Sequence, residues 1–326
     1  MSSSPDTATS LAECGDADQA ETVAHSATVA YRATLQVVTL LRPLVRESVG
    51  RSMLGFLRAP RYEVLPTEDV EGLVTTHVPP EVTITITASP KRGMEATIKL
   101  AERLSTQGYK VVPHLSARLI RDTAHLTDIL AAINQMGSHD VFAIAGDARE
   151  PAGEFPDSVS LLEAMMHAKA SQTLRDIGVS GYPESHSFID DDMTIQAMWD
   201  KRRIATYIVS NLCFDPRVVK KWVGRVRRRR VDLPIHIGMA GVADPAKLLR
   251  ISTRIGVVDS ARFLRGHSNW FLRMLQPGGY EPGRFIGALL PDLALPERKV
   301  AGLHIFTFNE IKATEQWRQD MLARAA

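Results

Sequence analysis

Residues 82–113 read VTITITASPKRGMEATIKLAERLSTQGYKVVP, with two short β-rich runs, VTITIT from Val82 and YKVVP from Tyr109, on either side of a helical segment. The same alternation extends in both directions, as expected of parallel βα units. RYEVL from Arg61 comes before it, and DVFAIA from Asp140, IGVSG from Ile177, IATYIVS from Ile204, PIHIG from Pro234 and LHIFT from Leu303 come after. Eight strands in about 265 residues is the size of a closed barrel of eight βα units. The sequence therefore predicts an α/β protein, a (β/α)8 TIM barrel over residues 61–326. A doubly wound open sheet is the alternative that periodicity leaves standing. Against it, no Gly-x-Gly-x-x-Gly follows an early strand, so a Rossmann nucleotide site has no fingerprint.

Upstream of the barrel the pattern changes. Residues 1–25 are rich in Ser, Ala, Asp and Thr and carry too little apolar surface to offset their ordering entropy, which predicts a flexible tail. From Val29 to Leu57, apolar residues such as Tyr31, Leu35, Val38, Leu41 and Val45 recur at three- and four-residue spacing. That predicts an amphipathic helical extension over 26–60, bent near Pro43, docking on the main domain or on a second copy in a homo-oligomer. Attachment to a membrane surface is the less economical use of the same stripe.

The chain of 326 residues is 44% hydrophobic and 23% charged, an ordinary globular balance. A formal charge of +2 gives no reason to expect nucleic acid or a membrane as partner. Cys14 and Cys213 stand in unrelated contexts, so neither a disulfide framework nor a cysteine-rich zinc site is expected, and a reducing cytoplasm fits. The N-terminus lacks a signal-peptide pattern and no run of 18 apolar residues occurs, which argues against secretion and membrane spanning. The basic block VRRRR ends a helical pattern beginning near Pro216. It reads first as cations at the negative end of a helix dipole, and second as a phosphate or polyglutamate contact.

In a barrel of this kind, reactive groups sit at the C-terminal ends of the strands. Glu63 interrupts the first run, Thr85 and Thr87 lie late in the second, His114 follows the third, and Asp147 follows the fourth in AIAGD. Tyr182, Glu184 and His186 follow the fifth in GYPESH, Asn211 the sixth in SNLCFD, and Asn309 the eighth in FTFNE. Each also has a structural use: Glu63 facing water, Asp147 capping the next helix, His114 closing a loop. These His and carboxylate positions fall on different strands without His-x-x-x-His spacing, so no metal site is expected.

Taken in order, YEVLP, VPHLSAR, AIAGD, GYPESH, SNLCFD, PIHIGMAGV and GLHIFTFNE resemble the methylenetetrahydrofolate reductase family from about Tyr62 to Trp317. The resemblance implies reduction of methylenetetrahydrofolate to methyltetrahydrofolate by hydride from NADH or NADPH. It implies that Glu63 protonates the aryl-side nitrogen of the bridged folate and opens it to an iminium. Asp147 then stabilises that cation and holds the pteridine, with Asn211 and Tyr182 beside the substrate. The first carboxyl must hold a proton and the second must stay charged, an opposed tuning known from other acid/base sites.

The resemblance also implies FAD in the barrel, and here the sequence departs from the family. An Arg before the Gly-Asp pair is replaced by Ala145, the segment before Lys201, Arg202 and Arg203 is shortened, a Gln is replaced by Asn211, and the first helix is abbreviated. These departures fall on flavin-contacting positions. The expectation is therefore NADH acting directly, with Thr85, His114, Tyr182 and His186 lining the dinucleotide cleft. Another tetrahydrofolate-dependent C1 enzyme and a non-catalytic folate-binding barrel are the competing readings. Retention of both Glu63 and Asp147 argues against the latter.

Overall fold

The computed structural model describes residues 53–183, 191–242 and 280–325. The tail, nearly all of the helical extension, Glu184 and His186 lie outside the described residues. Eight parallel strands close in sequence order into one barrel. The strands are β1 (Arg61–Val64), β2 (Thr83–Ile86), β3 (Val111–Ser116), β4 (Asp140–Ile144), β5 (Asp176–Gly181), β6 (Tyr207–Ser210), β7 (Ile235–Ala240) and β8 (Val300–Phe306). Closure is carried by β1 pairing with β8, with Arg61 opposite His304 and Glu63 opposite Phe306. All eight runs expected from the sequence are strands, and the open-sheet alternative is excluded.

Each strand leads toward a helix: α1 (Val70–His77), α2 (Gly93–Thr106), α3 (Thr123–Gln135), α4 (Ser158–His167), α5 (Asp191–Lys201), α6 (Pro216–Arg228), α7 (Pro282–Leu293) and α8 (Ile311–Ala325). Local chemistry fixes several of their starts. Asp157 caps α4 by accepting from the Val159 and Ser160 amides, and Asp215 caps α6, whose first residue is Pro216. Both satisfy amides that a helix leaves without partners. Among the described residues, no helix is long and apolar enough to cross a membrane.

The outward faces of the strands are apolar where they meet the helices: Tyr62, Val64, Ile84, Ile86 and Leu115 are essentially inaccessible to solvent. One polar cluster is set into this layer. The Tyr62 hydroxyl donates to Glu315 Oε2 at 2.8 Å, and Arg318 holds the same carboxylate through its Nε and Nη2 at 2.9 and 2.8 Å. Arg318 also donates to the Leu57 carbonyl, which ties α8 to the helical residues 53–58 that precede β1. A hydrogen bond to a buried charged group contributes about 1.5–3 kcal/mol. Tyr62→Phe should therefore lower stability by about that amount in urea denaturation while leaving activity intact, although Tyr62 adjoins Glu63.

Arg227, in the basic block, is committed to structure. Its guanidinium donates to the carbonyls of Val231, Leu233, Arg298 and Lys299. Those carbonyls belong to the turns that enter β7 and β8. This residue braces the N-terminal end of the barrel, a role that neither reading of the block anticipates.

Candidate active site

The barrel axis carries two tiers of polar side chains where such barrels are usually filled by branched aliphatics. In the lower tier, at the N-terminal ends of the strands, Arg61 of β1 pairs with Asp140 of β4 at 3.0 Å and donates to the Tyr207 hydroxyl of β6 at 2.9 Å. Tyr207 in turn donates to Asp140 at 2.7 Å, and the His236 ring of β7 meets the Tyr207 ring edge-on at 5.4 Å. Burial pushes the Asp140 carboxyl up to about 6, with Arg61 and Tyr207 opposing the shift.

The upper tier is built around Glu63. Its backbone carbonyl accepts from the Thr307 hydroxyl at 2.6 Å and the Thr307 amide at 3.2 Å. Just beyond, Asn309, at φ +59°, clamps the chain leaving β1 by hydrogen bonds to both backbone groups of Leu65. The side chain points inward: Glu63 Oε2 lies 2.9 Å from His304 Nε2 and 3.9 Å from His114 Nε2. Only the first of these is a hydrogen bond. His114 and His304 have 3% and 1% of their side-chain surface exposed, against 18% for Glu63, so the carboxyl is the member of the group that reaches the mouth. The Phe142 ring meets His114 edge-on at 4.8 Å, and Phe306 does the same to His304 at 5.0 Å.

Burial raises the Glu63 carboxyl to about 7; His114 opposes the shift and the charge of Asp147 adds to it. Burial lowers His114 to about 4, against the pull of Glu63, and lowers His304 to about 3, with Arg61 contributing. Near neutral pH both imidazoles are thus neutral, and Glu63 divides between acid and carboxylate. A carboxyl tuned in this way can give a proton to a weak base.

The structure brings Glu63, His114 and Asp147 within electrostatic reach, together with Tyr182, whose hydroxyl lies 3.4 Å from Ser180 Oγ and is raised by burial and by Asp147. Asp147 is exposed after β4. It does not cap a helix, because α4 begins only at Ser158 and has Asp157 as its cap. Gly146 makes the turn possible: its φ is +88°, and an added Cβ would stand 1.8 Å from Ser116 Oγ. His114 corrects the sequence reading, since it lies within β3 and not in a loop after it. Glu63 faces inward and not to water. Thr85 is 1% exposed, with its hydroxyl turned to the Tyr62 carbonyl at 3.3 Å. Asn211 leaves β6 with its amide oxygen accepting from the Leu212 N–H. Asn309 is committed to clamping Leu65 where the chain leaves β1.

The sequence reading missed His304, Arg61, Asp140, Tyr207 and His236. It examined strand ends, and these residues lie inside or at the start of strands. Their signal was alternation: His304 and Phe306 are inward neighbours on β8, with buried Leu303 and Ile305 between and below them on the other face.

At the C-terminal end of α5, Lys201 donates to Ser158 Oγ at 2.8 Å and its ammonium is lowered by burial. The Arg202 guanidinium lies 3.5 Å from the centroid of the Trp199 ring and donates to the Trp199 carbonyl. Ala145 contributes only its carbonyl, which accepts from the Arg118 amide at 3.0 Å.

Residues 65–258, more than half of the chain, match the sequence model of the family described as methylenetetrahydrofolate reductase. Glu63 and β8 fall outside the matched segment, and Asp147 falls within it. Two solved structures align at low similarity. Oxaloacetate acetylhydrolase in complex with the product oxalate shares 8% identity, covering 74% of this chain and 94% of that one, with a TM-score of 0.43. A protein described as a lyase/mutase from Burkholderia cenocepacia J2315 shares 12% identity, covering 85% of each, with a TM-score of 0.44. Scores at this level do not bear on the chemistry.

Proposed function

From the premise that this chain belongs to the methylenetetrahydrofolate reductase family, we propose that it reduces methylenetetrahydrofolate to methyltetrahydrofolate with hydride taken directly from a nicotinamide cofactor, NADH in the first instance. The observation that carries the proposal is Glu63, a carboxyl held near pKa 7 at the barrel mouth with Asp147 in reach. Glu63 gives its proton to the aryl-side nitrogen of the folate, the bridge opens to a cationic iminium, and hydride converts the iminium carbon to methyl. Asp147 stabilises the cation as bound substrate excludes water and strengthens the attraction. Tyr182 and Asn211 sit on the adjacent rims of β5 and β6 and contact the substrate. Thr85, His114 and Tyr182 border the side taken by the nicotinamide, and His186, expected there from the sequence, lies outside the described residues.

Family members usually hold FAD, and the described positions at which the resemblance sets flavin-phosphate contacts offer it little. Lys201 and Arg202 are engaged with Ser158 and Trp199, and Ala145 offers no cation. A resident flavin must stay bound through every turnover, whereas a nicotinamide that leaves each cycle needs only substrate-level affinity. These residues therefore favour the second arrangement.

Kinetic order tests it. Without a resident carrier, no group stores the hydride between substrates, so both must occupy the mouth together within a reach of about 3–3.5 Å. The purified protein should be colourless, oxidise NADH only when methylenetetrahydrofolate is present, give intersecting double-reciprocal lines, and gain nothing from added FAD. Yellow protein with stoichiometric flavin, or parallel lines, would overturn direct transfer. Absence of folate-dependent NADH or NADPH oxidation would overturn the reductase reading.

A further inference from the structure

A buried neutral imidazole carries one proton, and the position of that proton on His304 decides how Glu63 is presented. His304 Nε2 lies 2.9 Å from Glu63 Oε2, whereas His304 Nδ1 is buried with no hydrogen-bond partner. A proton at Nε2 makes the bond to Glu63. A proton at Nδ1 would be an N–H without an acceptor, which costs about 1–3 kcal/mol.

A second feature keeps the ring neutral. Arg61 stands beside His304 across the β1–β8 pairing, and its positive charge acts on this ring. A guanidinium nearby opposes a second proton on the ring and so an imidazolium. Arg61 is itself fixed by Asp140 and Tyr207, so the lower tier has a use that no local sequence pattern announces.

We propose that His304 is a positioning residue: held in the Nε2–H tautomer by an Nδ1 that has no acceptor, it donates permanently to Glu63 Oε2 and so confines the proton of the acid to Oε1, the oxygen left for substrate. The inference rests on the proposed role of Glu63 as acid. In a carboxylic acid the carbonyl oxygen is the better acceptor, so a donor fixed at Oε2 leaves the O–H on the other oxygen. Without that donor, the proton divides between the two oxygens, and half of the protonated molecules aim it away from the folate nitrogen.

Other groups facing the pair fit this arrangement. Around Glu63 stand His304 of β8, His114 of β3 at 3.9 Å, and the charge of Asp147 after β4. Around His304 stand Glu63 and Arg61 of β1, the His114 ring at 6.5 Å, His236 of β7, and the rings of Phe142 and Phe306. Among them Glu63 is the acceptor within hydrogen-bond reach of His304.

Nitrogen-15 imidazole NMR of the intact protein tests the proton position without any turnover, with the His304 signal assigned by its loss in His304→Gln. The expected result is an Nε2–H tautomer at both pH 6 and pH 8, on either side of Glu63 ionisation. An Nδ1–H tautomer or an imidazolium at either pH overturns the proposal, whatever the reaction proves to be. The kinetic arm compares His304→Leu with His304→Gln, whose amide can still donate. Losing the donor removes a bond that favours the carboxylate, so the alkaline limb of the pH profile should move to higher pH in His304→Leu, with acid-side turnover down about twofold as half of the protons are misdirected. His304→Gln should restore both. A His304→Leu enzyme with unchanged rate and limb overturns the proposal. If that variant does not fold, an unrestored limb in His304→Gln does so.

Discussion

A Glu63→Gln enzyme should keep its fold and bind folate while turning over about 10²–10⁴-fold more slowly, the usual contribution of a general acid. The amide matches the carboxyl in shape, and its oxygen can still accept from His304, but it has no acidic proton to give. The pH dependence should change with it. In the unsubstituted protein Glu63 is protonated below about 7 and ionised above, so kcat/KM should be high on the acid side and fall as pH rises through that value. The variant should lack this limb. Stability supplies an independent sign. Between the ordinary carboxyl range and about 7, the folded state binds a proton at Glu63 that the unfolded chain has released, so this residue makes the fold less stable as pH rises. Glu63→Gln should thus be more stable than the unsubstituted protein at pH 8, by at most about 3 kcal/mol, and gain little at pH 4. Near-normal turnover together with an unchanged limb would remove Glu63 from the mechanism.

The barrel was legible because its strands are apolar on the face that meets the helices and are separated by helical segments of regular length. Pairing order and closure, which follow from three-dimensional twist, are settled by the contact between β1 and β8. Glu63 and Asp147 were legible for different reasons. A carboxylate in the middle of a β-rich run is costly unless it has a use, and a Gly-Asp pair at a strand end suits a barrel rim. His114 was misplaced because Pro113 looks like a terminator. Yet all six residues of β3 are buried, and that burial outweighs the single ladder bond a proline forgoes.

The histidine and arginine tiers were less visible. In a strand covered on both faces, the inward set does not stand out by hydropathy alone. His236 and His304 read as isolated polar interruptions of apolar runs until the register places them in a closed barrel. Gly302 illustrates the point. It is the inward position on β8 paired with His236, and a Cβ there would lie 3.2 Å from His236 Nδ1, so the missing side chain makes room for the ring opposite. No local pattern in KVAGLHIF announces that relation, because the partner lies more than sixty residues away in sequence.

Asp147→Asn should lower kcat/KM by about 10²–10³-fold, the range seen when one preorganised electrostatic group is removed from a developing charge, and should also weaken folate binding. Two losses combine, and pH separates them. The first is the attraction between the Asp147 carboxylate and the iminium. In the free protein this side chain is exposed and screened by water, but substrate closing the mouth lowers the local dielectric and increases the attraction when the cation forms. The second acts through Glu63, whose carboxyl is raised first by burial and then by the negative charge of Asp147, against the opposing influence of His114. Neutralising Asp147 makes Glu63 easier to ionise, so the alkaline limb should move to lower pH and less acid should be protonated at pH 7. Below about pH 6 that second loss should disappear while the first persists. Rates measured from pH 5.5 to 8.5, with folate affinity by calorimetry at each end, resolve the two. An unshifted limb would mean that Asp147 does not act on Glu63 in solution, and an unchanged affinity and low-pH rate would mean that it does not face the iminium.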